Sequence, residues 1–366
     1  MYPYWLLFLI FALGAISTEV SRPAWPVPNR GPAVPAGNNP VLGRELPLML
    51  AAVLTAAMIG FRFKVGADWD SYLIIYGDIQ RLGLSKALQY WEPGYTLVNF
   101  IAGELGAGIW LINLICGLIF MYGVVQFARR QPNPWLAVLV GVPYLIIGVG
   151  MGYTRQAVAI GCCMAGFAAL SRGSFRRMVL WVLAGAMFHR TALVVLPLVT
   201  LSYTRNRFQT LLVLIVGSYI AYKLLWTNID KFQNLYIHRV YEAQGSGVRL
   251  AMNITPAIIF LSVSRRFGLS EDERRIWRNF AIVAVLSFLL WLVTRNTAAV
   301  DRLALYLIPL QIIVFSRLPN VLSNSDRPSG EYKGLIILYC ALVQFTWLNF
   351  ANHAGYWVPY TLYPFN

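Results

Sequence analysis

Residues 178–202 read MVLWVLAGAMFHRTALVVLPLVTLS, an apolar run whose only ionisable residues are His189 and Arg190. A helix of about 20 apolar residues crosses a bilayer core, so one straight span would fit this run. The basic loops on either side of it, 172–177 and 205–207, would then lie on opposite sides of the membrane, although short Lys- and Arg-rich loops favour the cytoplasm. We therefore predict that the run breaks at His189 and Arg190 into two short helices that meet at the outer side.

The whole chain has the composition of a membrane protein. It has 366 residues, of which 58% are hydrophobic and only 12% charged, and its mean hydropathy is +0.58. Its length and apolar runs predict one all-α polytopic integral membrane domain over 1–366, with about 12 membrane segments that include short or re-entrant helices. Besides the split run, the predicted spans are 2–16, 46–60, 108–128, 135–148, 156–170, 208–225, 250–264, 280–294, 303–316 and 334–350.

The charges set the predicted orientation. Lys and Arg number 30 against 15 Asp and Glu, which gives a net charge of +15. We interpret this excess first as cytoplasmic loops, and nucleic acid is not a favoured partner. Six prolines between Pro23 and Pro40 predict an extended Pro-rich cytoplasmic linker over 17–45.

Several chemistries find no support in the motifs. The four cysteines all lie inside apolar runs, where they behave as small hydrophobic residues and cannot form a zinc site. The chain has no Gly-rich phosphate loop, HExxH or GxSxG motif, so ATP-driven chemistry is not expected and we predict no cofactor. Asp68 and Asp70 form an Asp-x-Asp pair, a weak signal for Mg²⁺, and we predict no metal.

The predicted topology places a set of ionisable residues from six separate stretches on the outer side. Ionisable groups near membrane depth are costly unless they face water or one another, so these are functional candidates that we expect to converge on one cavity. The set is Arg62, Asp68, Asp70, Glu92, Arg155, His189, Arg190, Arg239, Arg249, Arg295, Asp301 and Arg302. The first outer loop, 62–106, is amphipathic and predicts interfacial helices.

Each candidate also has an ordinary structural interpretation. Asp68 lies among aromatic residues that could form an interfacial belt, and it could cap a helix. Glu92 followed by Pro93 is an ordinary helix start, and Arg155 could reach outward to lipid headgroups. Asp301 and Arg302 could be an internal ion pair, and the aromatic stretch 356–360 is typical of a membrane anchor.

The order and spacing of these motifs resemble the EpsG family, which groups with Wzy-type bacterial polysaccharide polymerases. The resemblance covers about 46–318 and rests on five motifs: Arg62 with Gly66-x-Asp68-x-x-x-Tyr72, Glu92-Pro93-Gly94-Tyr95 with Asn99, Arg155-Gln156, Phe188 to Leu193, and Asp301-Arg302-x-x-x-Tyr306.

This resemblance implies a GT-C-like glycosyltransferase in the bacterial inner membrane. It would polymerise repeat units carried on undecaprenyl diphosphate at the periplasmic face, among membrane lipids and with a chain-length-determining co-polymerase as a further partner. A carboxylate would deprotonate the acceptor hydroxyl and arginines would stabilise the diphosphate leaving group. The catalytic candidates are Asp68, Glu92 and His189, and the substrate-binding candidates are Arg62, Tyr72, Tyr95, Arg155, Gln156, Arg190, Arg249, Asp301, Arg302 and Tyr306.

Three other functions stay open. A glycan ligase would use the same lipid donor, and a lipid-linked oligosaccharide flippase would also need a basic cavity, although no inverted repeat is visible. A membrane acyltransferase would use a buried histidine such as His189, at the cytoplasmic side.

Overall fold

The computed structural model describes residues 1–18, 41–203, 215, 245–293, 297–323 and 329–365. Within these ranges the chain is helical, and its only β-type pairing is an isolated bridge between Arg62 and Leu362. Most of the predicted linker, most of the predicted span 208–225, and the outer-set residues Arg239 and Arg295 lie outside the described residues.

The first half of the chain contains nine α-helices and one π-helix in its described part. They are α1 (Tyr2–Ser17), α2 (Val41–Gly60), α3 (Trp69–Leu82), α4 (Leu84–Ala87), α5 (Pro93–Glu104), α6 (Ile109–Ala128), α7 (Pro134–Gly141), a π-helix (Val142–Gly150), α8 (Thr154–Leu170) and α9 (Phe175–Ala186).

The second half continues with short 3₁₀ segments between longer helices. In order these are a 3₁₀ helix (Arg190–Val194), α10 (Val195–Tyr203), α11 (Ser246–Val263), a 3₁₀ helix (Ser264–Phe267), α12 (Glu271–Val293), α13 (Thr297–Ala304), a 3₁₀ helix (Leu305–Leu307), α14 (Ile308–Leu322), α15 (Ser329–Phe350) and a 3₁₀ helix (Ala354–Tyr356).

Five helical stretches of the described chain are long and apolar enough to cross a membrane. They are Ile109–Ala128, Ser246–Phe267, Glu271–Val293, Ala298–Leu322 and Ser329–Phe350, and five shorter apolar helices accompany them. The protein is therefore an all-helical polytopic membrane protein, as predicted, while the number of segments that cross the bilayer stays a prediction.

The centre of the molecule is the crossing of α6 and α8. A Cβ atom on Gly123 of α6 would collide with the backbone of Gly161 in α8, and a Cβ on Gly161 would lie 2.8 Å from the Phe120 backbone. Small residues at a crossing let two membrane helices approach closely. This contact fixes α8, and with it the Arg155–Gln156 pair at the start of that helix, against α6.

The predicted break in the run 178–202 is present. Helix α9 ends at Ala186, His189 has an extended backbone (φ −155°, ψ 111°), and a new helix starts at Arg190. Ser202, near the end of α10, accepts a hydrogen bond from the Asn279 side chain of α12. The chain thus turns back at His189 and returns toward the first part of α12.

Described residues of three predicted inner loops, 129–130, 265–278 and 317–333, meet at one end of the molecule. Arg129 forms an ion pair with Glu45 at the start of α2. Arg317 donates to the carbonyl oxygens of Arg130 and Phe267, which joins the loops after α6 and α11. This end lies beyond the carboxyl end of α6, whereas the predicted outer residue Arg62 contacts Asn113 near its amino end.

The prediction of an aromatic membrane anchor over 356–360 is wrong for Trp357. Trp357 is only 1% exposed, and its indole Nε1 donates to the carbonyl of Ile147 at 2.8 Å. Its ring fills the space that a side chain on Gly152 would occupy. An apolar aromatic pattern does not distinguish a lipid anchor from a core residue, and here the close approach of Gly152 makes Trp357 part of the core.

Candidate functional site

Asp68 lies at the end of a tightly held loop between α2 and α3. Gly66 has φ of +106°, a conformation that favours glycine, and its N–H donates to the carbonyl of Tyr356 at 2.8 Å. Asp68 occupies the position before α3, but its side chain makes no capping hydrogen bond. Its carboxylate, 29% exposed, lies 4.0 Å from the Arg302 guanidinium. The loop therefore fixes the position of Asp68, and its carboxylate oxygens are not used to cap the helix.

Glu92 is brought beside Arg155 and His189 by a close contact at the start of α5. The Gly94 N–H donates to the carbonyl of Met187 at 2.8 Å, and a Cβ on Gly94 would lie 3.0 Å from that oxygen. The Glu92 carboxylate accepts a hydrogen bond from Arg155 Nη1 at 2.9 Å, and its other oxygen lies 3.9 Å from His189 Nδ1. Glycine at position 94 therefore lets the helix start dock on the turn that carries His189.

Asp301 pairs with Arg249 rather than with its neighbour Arg302. Arg249 Nε and Nη2 each donate to one oxygen of the Asp301 carboxylate at 2.8 Å, a bidentate pair. Both side chains are largely buried. Arg302 is left 45% exposed, with its guanidinium 5.3 Å from the centre of the Tyr153 ring.

Two hydrogen bonds tie the remaining predicted residues to the same place. Gln156 Nε2 donates to the carbonyl of Arg302 at 2.6 Å, and Tyr306 and Thr191 share a hydroxyl–hydroxyl bond of 3.0 Å. The first bond joins α8 to α13, and the second joins the 3₁₀ turn after His189 to the segment before α14.

Aromatic rings line the amino end of α5. The rings of Tyr72 and Tyr95 lie 5.9 Å apart and both residues are buried. The Arg155 guanidinium lies 5.8 Å from the Tyr95 ring and 5.9 Å from the Trp91 ring. Tyr72 and Tyr95 are thus packed beneath Arg155, where they support its position.

Arg190 is half-buried next to His189, at the start of the 3₁₀ turn. No carboxylate of the described residues forms an ion pair with it. Of the predicted substrate arginines that are not fully buried, Arg190 and Arg302 are the two in the described residues without a carboxylate at hydrogen-bonding distance.

Arg62 differs from the other arginines because it is only 1% exposed. Its guanidinium donates to the carbonyls of Ile59 and Val65 and to the side chains of Asn113 and Thr154. The prediction that Arg62 contacts substrate does not fit this position, because a fully buried and internally bonded side chain has no face open to a ligand.

The pKa values of Asp68 and His189, two ionisable residues in loops, are shifted in opposite directions. Burial raises the pKa of Asp68 above its ordinary value, and the neighbouring Arg302 and Arg155 oppose that shift. Burial, assisted by Arg155, lowers the pKa of His189 to about 4, while Glu92 opposes that shift. His189 is therefore neutral at pH 7, and its buried Nδ1 has no hydrogen-bond partner among the described residues.

No metal-binding cluster accompanies this arrangement in the described residues. No group of three or more His, Cys, Asp and Glu residues is suitably placed to hold a metal there, and Asp70 is exposed. A small cavity lies at the opposite end of α6 and contains none of the predicted site residues; it is lined by residues that include Phe127, Arg130, Gln131, Glu273 and Arg317.

The structure thus joins predicted residues from five stretches of chain into one contiguous cluster. Contacts run from Asp68 through Arg302 to Gln156 and Arg155, and from there to Glu92 and His189. Sequence reasoning included Thr191 in a motif without giving it a role, and it missed Tyr153; both residues lie next to predicted ones but carry no charge that marks them. It also gave Gly94 no role, because the contact that requires a glycine comes from the distant residue Met187.

The family model described as EpsG family matches residues 45–362 of the chain. No curated protein and no solved structure matches the chain.

Proposed function

The chain belongs to the EpsG family, and from that premise we propose that it polymerises undecaprenyl-diphosphate-linked oligosaccharide repeat units at the periplasmic face of the inner membrane. The family links it to polysaccharide polymerase-like membrane proteins with glycosyltransferase activity. The donor is the growing chain on its lipid diphosphate, the acceptor is a hydroxyl of a new lipid-linked unit, and a co-polymerase sets chain length. We propose a GT-C-like fold for this protein.

One observation carries this proposal. Asp68, a carboxylate without a hydrogen-bonded partner in the described part of the chain, lies beside a half-exposed arginine, Arg302. Glycosyl transfer from a lipid diphosphate needs these two groups together, a base for the attacking hydroxyl and a cation for the leaving group. Because no nucleotide takes part, the reaction needs no nucleotide-binding motif.

In the proposed reaction, the acceptor oxygen forms a bond to the anomeric carbon of the donor sugar. The bond from that carbon to the diphosphate oxygen breaks, and the diphosphate leaves with the bonding electrons. The hydroxyl proton passes to the Asp68 carboxylate. A raised pKa makes Asp68 a stronger base than an ordinary carboxylate.

The arginines divide into two roles by their partners. Arg302 and Arg190 have no carboxylate at hydrogen-bonding distance among the described residues, so they are the proposed diphosphate ligands. Arg155 holds Glu92, and Arg249 holds Asp301, which leaves less of their charge for a ligand. Glu92 is the second candidate for the base, and His189 is its neutral neighbour.

The test uses purified protein in liposomes with lipid-linked repeat units that carry a fluorescent sugar. We expect longer glycans on the lipid diphosphate, both with and without EDTA. The Asp70→Asn variant, an exposed carboxylate two residues from Asp68, is the matched control for Asp68→Asn. Movement of unextended units across the bilayer would indicate a flippase, and transfer of a finished glycan to a different acceptor would indicate a ligase; either result would overturn the proposal.

A further inference from the structure

The buried side chain of Arg62 carries a charge without a matching carboxylate. It is among the largest fully buried side chains, and no carboxylate of the described chain forms an ion pair with it. All of its hydrogen bonds go to neutral oxygens. A buried charge costs free energy unless hydrogen bonds compensate it, so its retention calls for a specific arrangement around it.

The acceptors of Arg62 belong to four different segments. Ile59 is near the end of α2, Val65 is in the loop that leads to Asp68, and Asn113 is in α6. The fourth, Thr154, accepts from Nη2 at 2.7 Å and directly precedes Arg155 at the start of α8. One planar guanidinium therefore fixes the Asp68 loop relative to the Arg155 helix.

We infer that Arg62 is a positioning residue that sets the distance between Asp68 and the arginine cluster at Arg155 and Arg302. Its rigid fork of donors holds several acceptors in one plane, which a lysine ammonium cannot do. The inference rests on the proposed function, because it assigns Arg62 to the geometry of that reaction. Arg62 therefore affects the rate of the chemical step and not the affinity for the lipid-linked substrate.

The chain offers a matched control at its other end. Arg317 is 4% exposed, and it too donates to backbone carbonyls and to one side-chain amide, that of Gln131 at 2.9 Å. Arg62 and Arg317 are thus both buried and both donate to neutral oxygens, but the acceptors of Arg62 belong to segments of the candidate site, whereas these acceptors of Arg317 lie beyond the carboxyl end of α6. If substitution of a buried arginine lowers activity only by impairing folding, variants of both residues should lose activity. If the loss comes from misplaced site residues, only the Arg62 variants should lose activity.

The experiment measures kcat and KM for glycan extension with Arg62→Lys, Arg62→Met and Arg317→Lys, each normalised to folded protein. Misplacing catalytic groups by about 1 Å can cost about 10²-fold in rate. We expect kcat to fall about 10- to 100-fold in the Arg62 variants, with KM within about threefold of wild type and partial retention in Arg62→Lys. Arg317→Lys should keep kcat near wild type.

If the Arg62 variants do not fold, the Thr154→Val variant replaces them in the experiment. It removes the hydrogen bond from Arg62 to the Thr154 hydroxyl at nearly constant side-chain volume. It should lower kcat by about tenfold with little change in KM. A rise in KM alone, equal losses in the Arg62 and Arg317 variants, or normal kcat in Thr154→Val would overturn the inference. Failure of the wild-type chain to extend glycan would instead overturn the proposed function.

Discussion

Asp68 and Glu92 are the two carboxylates proposed as candidates for the base, and their surroundings differ. Arg155 holds Glu92 in a hydrogen-bonded ion pair, whereas Asp68 is 4.0 Å from the nearest guanidinium. A carboxylate that accepts a proton needs an unoccupied lone pair, so Asp68 is better suited to act as the base.

For Asp68→Asn, we expect extension to slow by about 10² to 10⁴-fold, because the amide cannot accept the hydroxyl proton. Wild-type activity should fall as the pH is lowered through the raised pKa of Asp68, since the base must be ionised, and this acid limb should disappear in the variant. Rates across a pH series measure both effects. Activity within a few fold of wild type would show that Asp68 is not the base.

The stability of Asp68→Asn should move in the opposite direction from its activity. Burial raises the pKa of Asp68 in the folded state, so the folded protein binds this proton more tightly than the unfolded chain does. The ionised group therefore opposes folding at neutral pH, and stability should increase as the pH falls. We expect Asp68→Asn to unfold at the same temperature as wild type or a higher one.

Arg302 and Arg249 should respond differently to substitution. Arg302→Ala removes a donor to the leaving diphosphate, and we expect a loss of about 10² to 10³-fold in kcat with little change in stability. Arg249→Gln leaves Asp301 without its bidentate partner, and breaking a buried pair lowers the free energy of unfolding by about 3–5 kcal/mol. Thermal unfolding and extension rate, measured on both variants, separate these effects; the reverse pattern would contradict the assignment of roles.

At the level of elements, the C-terminal segment holds the Asp68 loop in place. The Phe63 N–H donates to the carbonyl of Thr361 at 3.0 Å, and the Gly66 N–H donates to that of Tyr356. The Tyr4 hydroxyl in turn donates to the carbonyl of Trp357 at 2.6 Å. The two ends of the described chain therefore meet beneath the site.

Trp357→Ala tests this contact. Removing a buried tryptophan lowers the free energy of unfolding by about 3–5 kcal/mol, and the loosened loop should also lower activity. The neighbouring Tyr356→Ala is the control, because that side chain is 56% exposed and only its backbone holds Gly66. Denaturant unfolding in detergent measures the difference, and equal stability of the two variants would contradict a core role for Trp357.

At the level of the whole molecule, the predicted site and the described residues of three predicted inner loops lie at opposite ends of α6. The topology predicts that the site faces the periplasm. Cysteine accessibility can test this, because the four native cysteines are buried and should react little.

The exposed residues Asp70 and Arg172 mark the two ends. We expect a cysteine at Asp70→Cys to react with a membrane-impermeant reagent from outside the cell, and one at Arg172→Cys to react only after the membrane is opened. Labelling of Arg172→Cys from outside, with protection of Asp70→Cys, would invert the topology on which the periplasmic site depends.

The sequence alone determined the membrane class, most helix positions and the break at His189. These follow from local properties: apolar length sets a span, and two ionisable residues in an apolar run are costly unless the chain turns there. The motif order also indicated the family and the stretches that meet in the candidate site.

Only the tertiary structure decided which charges neutralise each other. Asp301 next to Arg302 in sequence reads as one pair, yet the carboxylate binds Arg249, which is 52 positions away. Arg62 reads as a ligand for substrate, yet it is buried against segments whose approach no local pattern encodes. The same limit applies to Trp357, since burial of an aromatic ring depends on a distant glycine. Pairing and burial are set by packing between remote segments, and a single sequence without aligned relatives carries no record of them.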